Sequence, residues 1–255
     1  MHPTLFVFII YMFRLSQRQM DILKAVVEEY IDSASPVGSE PLERKYGLGV
    51  SPATIRNEMA LLGQHGYLKQ PHTSAGRVPT AITFRLYTNE LMQEAQLSVA
   101  EEVTTKERLW EIRQNSGKLL HATARSLADQ INCVSLVSLH SGSVYTSGYA
   151  NLLSMPEFYD IEVTRQVLML IDHNVGSLLQ LFEQTNDRGN VHMMFGEELN
   201  YPLLEPVGMI YSHFNMGAHT TGTVAAIGPA RLNFAYTIPR VRYHSLLLEE
   251  LARGW

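Results

Sequence analysis

The stretch Ser51–Thr80, SPATIRNEMALLGQHGYLKQPHTSAGRVPT, decides how the chain begins to fold. Ser51 followed by Pro52 is a helix start: a hydroxyl that can accept from an orphan amide, then a ring that presets φ and lacks an N–H there. The helix runs to about Gln64, and Gly66 marks its end. At ~100° per residue, Ile55, Met59 and Leu62 share one face, which is the face to bury. The opposite face carries Ala53, Asn57, Ala60 and Gln64, flanked by Thr54 and Arg56. Small residues let a helix sit deep in a DNA major groove. Asn and Gln can bond adenine bidentately, Arg suits guanine or phosphate, and Ala can touch a thymine methyl. The helix N-terminus around Ser51 also favours a backbone phosphate.

Tyr67–Gln70 reads as a short strand and Pro71–Pro79 as a loop, with Ala75–Gly76 allowing a sharp tip. His72, Thr73, Ser74 and Arg77 are all able to bind phosphate, so the loop has the chemistry of a wing. Working outward, Ser16 and Gln19 form a capping box, and Met20, Leu23, Val27, Tyr30 and Ile31 make a helical stripe. SASPVG (33–38) stops that helix, a short one follows from about Ser39 to Tyr46, and Gly47 ends it. Thr80 is placed to cap a further helix with the stripe Phe84, Tyr87, Leu91. Three helices, a strand, a glycine-containing loop and another helix are the order of a winged helix-turn-helix over residues 15–92.

Charge agrees locally. The whole chain has a net charge of −5, so it is no basic coat for nucleic acid. Between residues 36 and 85, however, six basic side chains (Arg44, Lys45, Arg56, Lys69, Arg77, Arg85) face three acidic ones (Glu40, Glu43, Glu58). The single cysteine, Cys133, rules out a disulfide within the chain and fits a reducing, cytoplasmic setting. Residues 1–14 form an apolar extension. Its run from Leu5 to Phe13 is far short of the ~20 residues needed to cross a bilayer, and it lacks the positive start and cleavage site of a signal peptide. Met12 is an alternative start.

Downstream, residues 93–130 are charged, with heptad-like apolar positions, and read as a helical linker broken near Asn115–Gly117. CVSLVSL (133–139) alternates as a strand. A helix over 164–184, strands at 191–195, 207–212 and 222–227, and a terminal helix over Val241–Leu251 complete a mixed second half.

The chain resembles the heat-inducible transcription repressor HrcA family. Leu15–Ser39 and Tyr46–Thr80 are similar to that family's first helix, recognition helix and wing. GYANLLSMPEF from Gly148 and TTGTVAAIGPARLNFAYTI from Thr220 are similar to later segments. The resemblance implies an α/β (α+β) chain: a winged helix-turn-helix, then a GAF-like domain (131–255) with a dimerising domain inserted in it. It further implies a homodimer on an inverted-repeat operator before chaperone genes, released on heat stress, with a GroE-type chaperonin as partner. Two departures stand out. SLHSGSVY (138–145) bridges a place where the family is longer by many tens of residues, so the inserted domain and part of the GAF-like core are expected to be missing. The family's GPTRM-like run reads GPARLNF here, and Arg231 suits a structural turn better than a ligand cavity.

No enzyme signature competes. P-loop, G-x-G-x-x-G, H-E-x-x-H and Cys–metal spacings are absent, and His192, His213 and His219 fit no finger or helical ligand pair. No cofactor and no metal are expected. The remaining alternatives are a ligand-sensing GAF-like module and a winged helix that binds protein. The residues expected on DNA are Asn57 and Ala53 at bases, Arg56, Thr54 and Ser51 beside them or on the backbone, and His72, Thr73, Ser74 and Arg77 in the wing.

Overall fold

The computed structural model describes residues 15–173, 175–185, 190–199, 201–217 and 220–252. The apolar extension, residues 1–14, and His219 lie outside the described residues. The chain divides into two compact units between Met92 and Gln93.

The first unit opens with α1 (Gln17–Ser33). Both bonds of the Ser16/Gln19 capping box are made, at 3.3 and 3.0 Å. Helix α2 (Ser39–Tyr46) ends at Gly47, whose φ of 56° favours a residue without a Cβ. Helix α3 (Pro52–Gln64) starts where Ser51 accepts from the Thr54 amide at 3.2 Å. Ile55, Met59 and Leu62 point into a core shared with Ile22, Val26 and Leu42. Two-residue strands β1 (Leu68–Lys69) and β2 (Val78–Pro79) pair antiparallel, and a bridge joins Val37 to Arg77. The sequence placed Val78–Pro79 in the loop; pairing with β1 makes it a strand. Helix α4 (Ala81–Leu86) continues into a π turn over Tyr87–Leu91. Thr80 sits at its N-cap, but its hydroxyl makes no cap bond. It donates instead to the carbonyls of Gly66 (2.8 Å) and Tyr67 (3.0 Å), tying α4 to the start of the wing.

The second unit is a five-stranded antiparallel sheet in the order β4-β3-β7-β6-β5. The strands are β3 (Val134–Leu139), β4 (Val144–Ser147), β5 (Val191–Phe195), β6 (Val207–Met216) and β7 (Thr220–Pro229). Val134, Leu136, Met209, Tyr211, Ala225 and Ile227 face one core, covered by α8 (Ile161–Asp172) and α9 (Val175–Phe182). The sequence read these two helices as one; the chain breaks helix after Asp172. A short α7 (Tyr149–Leu152) leads into that layer.

The other face carries α6 (Ser116–Ile131) and α10 (Phe234–Leu251). Residues 93–130, read as a linker, hold α5 (Val99–Glu111) and α6, and α6 buries Leu119, Leu120 and Leu127. The break between them is Asn115, whose side chain caps α6 by accepting from Lys118 N at 2.9 Å. Helix α10 starts seven residues before the sequence placed it, because Pro239 reads as a breaker. Proline cannot donate to the Ala235 carbonyl, and the Ala95 amide does so in its stead at 2.8 Å.

His244 on α10 is completely buried. Its Nδ1 lies 2.8 Å from the Arg240 carbonyl and its Nε2 3.2 Å from Ser126 Oγ, an arrangement for a neutral ring donating to one and accepting from the other. Burial pushes its pKa down to about 4; the Arg240 carbonyl opposes this and the Arg240 charge adds to it. The unfolded ring takes a proton near pH 6.5 and the folded ring does not, so this residue leaves stability unchanged above that pH. Between pH 6.5 and about 4 it lowers stability by up to ~1.4 kcal/mol per pH unit. Thermal melts over that range should show a flatter pH dependence in His244→Gln than in the parent; equal slopes would refute the assignment.

Candidate nucleic-acid interface

The outer face of α3 and the wing line one cleft of about 600 Å3. Arg56, Asn57 and Ala60 enter it from the helix; Gln70, Thr73, Ser74, Gly76 and Arg77 enter from the wing. Of the residues expected on DNA, Arg56, Asn57, Thr73, Ser74 and Arg77 are thus brought together. Ser51, Ala53, Thr54 and His72 do not line the cleft. Ala53 and Ser51 are exposed at the helix start, and Ser51 Oγ lies 3.0 Å from Thr54 Oγ1. Both hydroxyls therefore build the helix N-terminus first. His72 Nδ1 sits 3.1 Å from Ser74 Oγ on the exposed part of the wing.

Two features were hidden from the sequence. Gln70 latches the wing: its amide donates to the carbonyls of Thr73 (3.0 Å) and Ala75 (2.9 Å). Its partners are backbone atoms, so no residue pattern announces it. Gly76 was expected to permit a sharp tip. The structure shows another need: a Cβ there would stand 2.4 Å from the Val37 carbonyl oxygen. That close approach lets Val37 and Arg77 exchange backbone bonds of 2.8 and 2.9 Å, which fixes the wing to the turn before α2. The Arg77 guanidinium then lies along α3, with Nη1 3.3 Å from where a Cβ on Gly63 would be.

The charges sort themselves in the same way. Lys45 is held by Glu29 (2.7 Å) and Asp32 (3.1 Å), and these bonds raise its pKa. Glu58, the acid on α3, turns toward α1, where it accepts from Gln19 at 3.1 Å and lies 3.7 Å from Arg18. The cleft face of α3 is left with Arg56 and no carboxylate.

The other sequence candidates are structural. Arg231 makes a two-pronged pair with Glu157 (2.5 and 3.1 Å), joining the two later family-like segments. His213 lies 3.0 Å from Thr223 Oγ1, and burial, then His192, lower its pKa. Among the described residues, no group of three or more His, Cys, Asp or Glu side chains is placed to hold a metal ion. The Cys133 thiol is buried and pushed up to about 12, so it stays protonated and inert. No described helix is long and apolar enough to cross a membrane.

A recognition helix and a wing that share a cleft, ahead of an antiparallel sheet, define a winged-helix transcription regulator. The model of the HrcA protein C-terminal domain matches residues 79–238, and the chain belongs to the HrcA family. Relatives carry the name heat-inducible transcription repressor HrcA, a repressor and not an enzyme. That of Desulforamulus reducens is 26% identical, over 94% of this chain and 99% of its own. That of Symbiobacterium thermophilum is 41% identical over 124 residues, 49% of this chain and 36% of its own. The first of these alignments runs over 345 residues, more than the 255 of this chain, so the relative carries segments that are lacking here. A crystal structure of a hypothetical protein superposes with a TM-score of 0.73 at 18% identity, over 94% of this chain and 99% of that one. It shows the same fold.

Gly76→Ala should separate the wing from Val37, lowering stability by roughly 1–3 kcal/mol. Hydrogen exchange reads this directly: the Val37 and Arg77 amides should lose protection. Unchanged protection would mean that the close approach is not what holds the wing.

Proposed function

We propose that this chain represses heat-shock (chaperone) genes by binding an inverted-repeat operator as a dimer, and that heat stress releases it. The observation that carries the reading is the single cleft formed by Arg56 and Asn57 of the recognition helix with Thr73, Ser74 and Arg77 of the wing. One recognition helix per half-site matches a two-fold protein to a two-fold operator. Asn57 and Ala53 read base edges. Arg56 contacts guanine or phosphate, and Ser51 and Thr54 hold the helix N-terminus against the backbone. His72, Thr73, Ser74 and Arg77 carry the wing along the phosphates. The setting is the cytoplasm, and a GroE-type chaperonin is the partner that keeps the repressor competent. The name of the relatives, heat-inducible repressor, supports the stress response.

The test is binding to an inverted repeat, a half-site and random duplex across a salt series. Asn57→Ala should weaken operator binding by ~1–3 kcal/mol and spare random DNA. Equal losses on both would remove the base-reading role. Arg77→Ala should weaken every sequence alike and reduce the salt slope by about one. Its guanidinium lies along α3. An unchanged slope would therefore assign it to supporting the helix rather than to phosphate.

A further inference from the structure

The chain leaves its first unit at Met92, whose amide still donates to the Tyr87 carbonyl at 2.9 Å. Two residues later it is already bound to α10. Glu94 takes the Arg242 guanidinium with both oxygens, at 2.7 and 2.8 Å. Ala95 follows with two backbone bonds. Its amide donates to the Ala235 carbonyl at 2.8 Å, and its carbonyl accepts from Arg240 Nη1 at 3.3 Å. At ~100° per residue, Ala235, Pro239 and Arg242 fall within an arc of about 60°, so one face of α10 receives this segment. Residues 92–98 form neither helix nor strand, and Gln93, Ala95 and Gln96 are exposed. Polar bonds rather than burial therefore fix the point where the chain joins its second unit. The Arg242 bonds lower the Glu94 pKa, and the two-pronged pair is charged on both sides at neutral pH.

We propose that Glu94 and Arg242, with Ala95 beside them, are positioning residues for DNA: they clamp the chain just past the DNA-binding unit and so set which separation of operator half-sites the protein accepts. The inference rests on the repressor reading. The argument is one of reach. With the clamp closed, Gln93 alone stands between the Met92 and Glu94 bonds, about 3.5 Å of chain. With it open, the loose segment runs from Gln93 to Leu97, up to about 17 Å, before the Ser98 capping box starts α5. Each base pair added between half-sites moves them apart by about 3.4 Å and turns one against the other by about 35°. A one-residue tether absorbs little of that change, whereas a five-residue tether absorbs several base pairs. The effective concentration of a tethered head at its half-site is highest where the tether matches the span, and it falls as the tether lengthens. The clamp thus gives the protein a sharp preference for one spacing, although neither side chain touches DNA.

The test has two arms. Hydrogen exchange of the full chain reads the clamp itself. In E94R the Ala95 amide should exchange at least tenfold faster, and E94R/R242E, which restores opposite charges, should return it to the parent rate. The DNA arm takes half-sites that the protein recovers from a random duplex library. They are rebuilt as inverted repeats with spacers lengthened or shortened by one to five base pairs. The parent should bind one spacing at least tenfold better than spacings two base pairs away. A Gly-Ser-Gly insertion between Gln93 and Glu94, ahead of the clamp, should flatten that preference to within threefold while half-site binding and circular dichroism stay unchanged. The same insertion between Gln96 and Leu97, behind the clamp, should leave both the preference and the Ala95 exchange rate intact. E94R should flatten the preference at least threefold, and the charge swap should restore it. A parent indifferent to spacing, an E94R exchange rate equal to the parent's, a charge swap that restores nothing, or two insertions with equal effect would each overturn the proposal. Recovery of no specific sequence from the library would instead sink the repressor reading, and the spacing role with it, while the exchange arm would still report whether Glu94 and Arg242 hold the chain.

Discussion

A positive charge almost out of reach of water organises the second unit. The Arg240 side chain is 2% exposed, and a buried guanidinium has to be paired. Its Nη2 takes Glu101, its Nη1 takes the carbonyls of Tyr236 (3.0 Å) and Ala95 (3.3 Å), and its plane lies over the Tyr236 ring. Each partner anchors something else. Glu101 is also the acid of the Ser98 capping box that starts α5. The Ser98 amide first, then Arg240, hold its pKa down to about 2. Ala95 is the residue whose amide serves the carbonyl that Pro239 leaves open. A short segment, residues 95–101, therefore satisfies both the buried charge and the helix defect of α10. In return it is held firmly enough to orient α5.

The first unit depends on a contact of a different kind, the passage of Gly76 over the Val37 backbone. Winged helices differ in where the wing points. Here two backbone bonds fix its base, and the Gln70 side chain shapes its turn. Tyr67 supplies a third anchor, since its carbonyl accepts from the Thr80 amide and from the hydroxyls of Thr80 and Thr83. The wing is thereby positioned relative to α3 by backbone geometry. His72, Thr73 and Ser74 are exposed on it, with His72 Nδ1 beside Ser74 Oγ.

Features whose cause lies within a few residues were legible in the sequence. Ser51–Pro52 and Gly66 bracket α3, Ser16–Gln19 starts α1, and the strand over 191–195 matches β5. What could not be read depends on atoms far away in the chain. Val78–Pro79 is a strand because β1 lies beside it, and α10 passes through Pro239 because Ala95 is there to donate. The side chains on the outer face of α3 were readable, since Ile55, Met59 and Leu62 mark the inner one. Which of those side chains share a cleft was not, because that depends on how closely Gly76 lets the wing approach.

The chain is shorter than its relatives, and the sheet shows how it stays complete. The missing material was expected between the strand at 133–139 and Gly148, with part of the core lost as well. At that place β3 and β4 form a hairpin, paired from Ser135↔Ser147 to Ser138↔Val144. Its turn is closed by Leu139 N to Ser143 O at 2.8 Å and Gly142 N to Leu139 O at 2.9 Å. An interrupted sheet would leave the outer edge of β3 with open amides and carbonyls, a liability for any edge strand. Here β4 covers that edge, and helices cover both faces. The core of the second unit is therefore closed, with the β3–β4 hairpin in the place where the longer segment was expected.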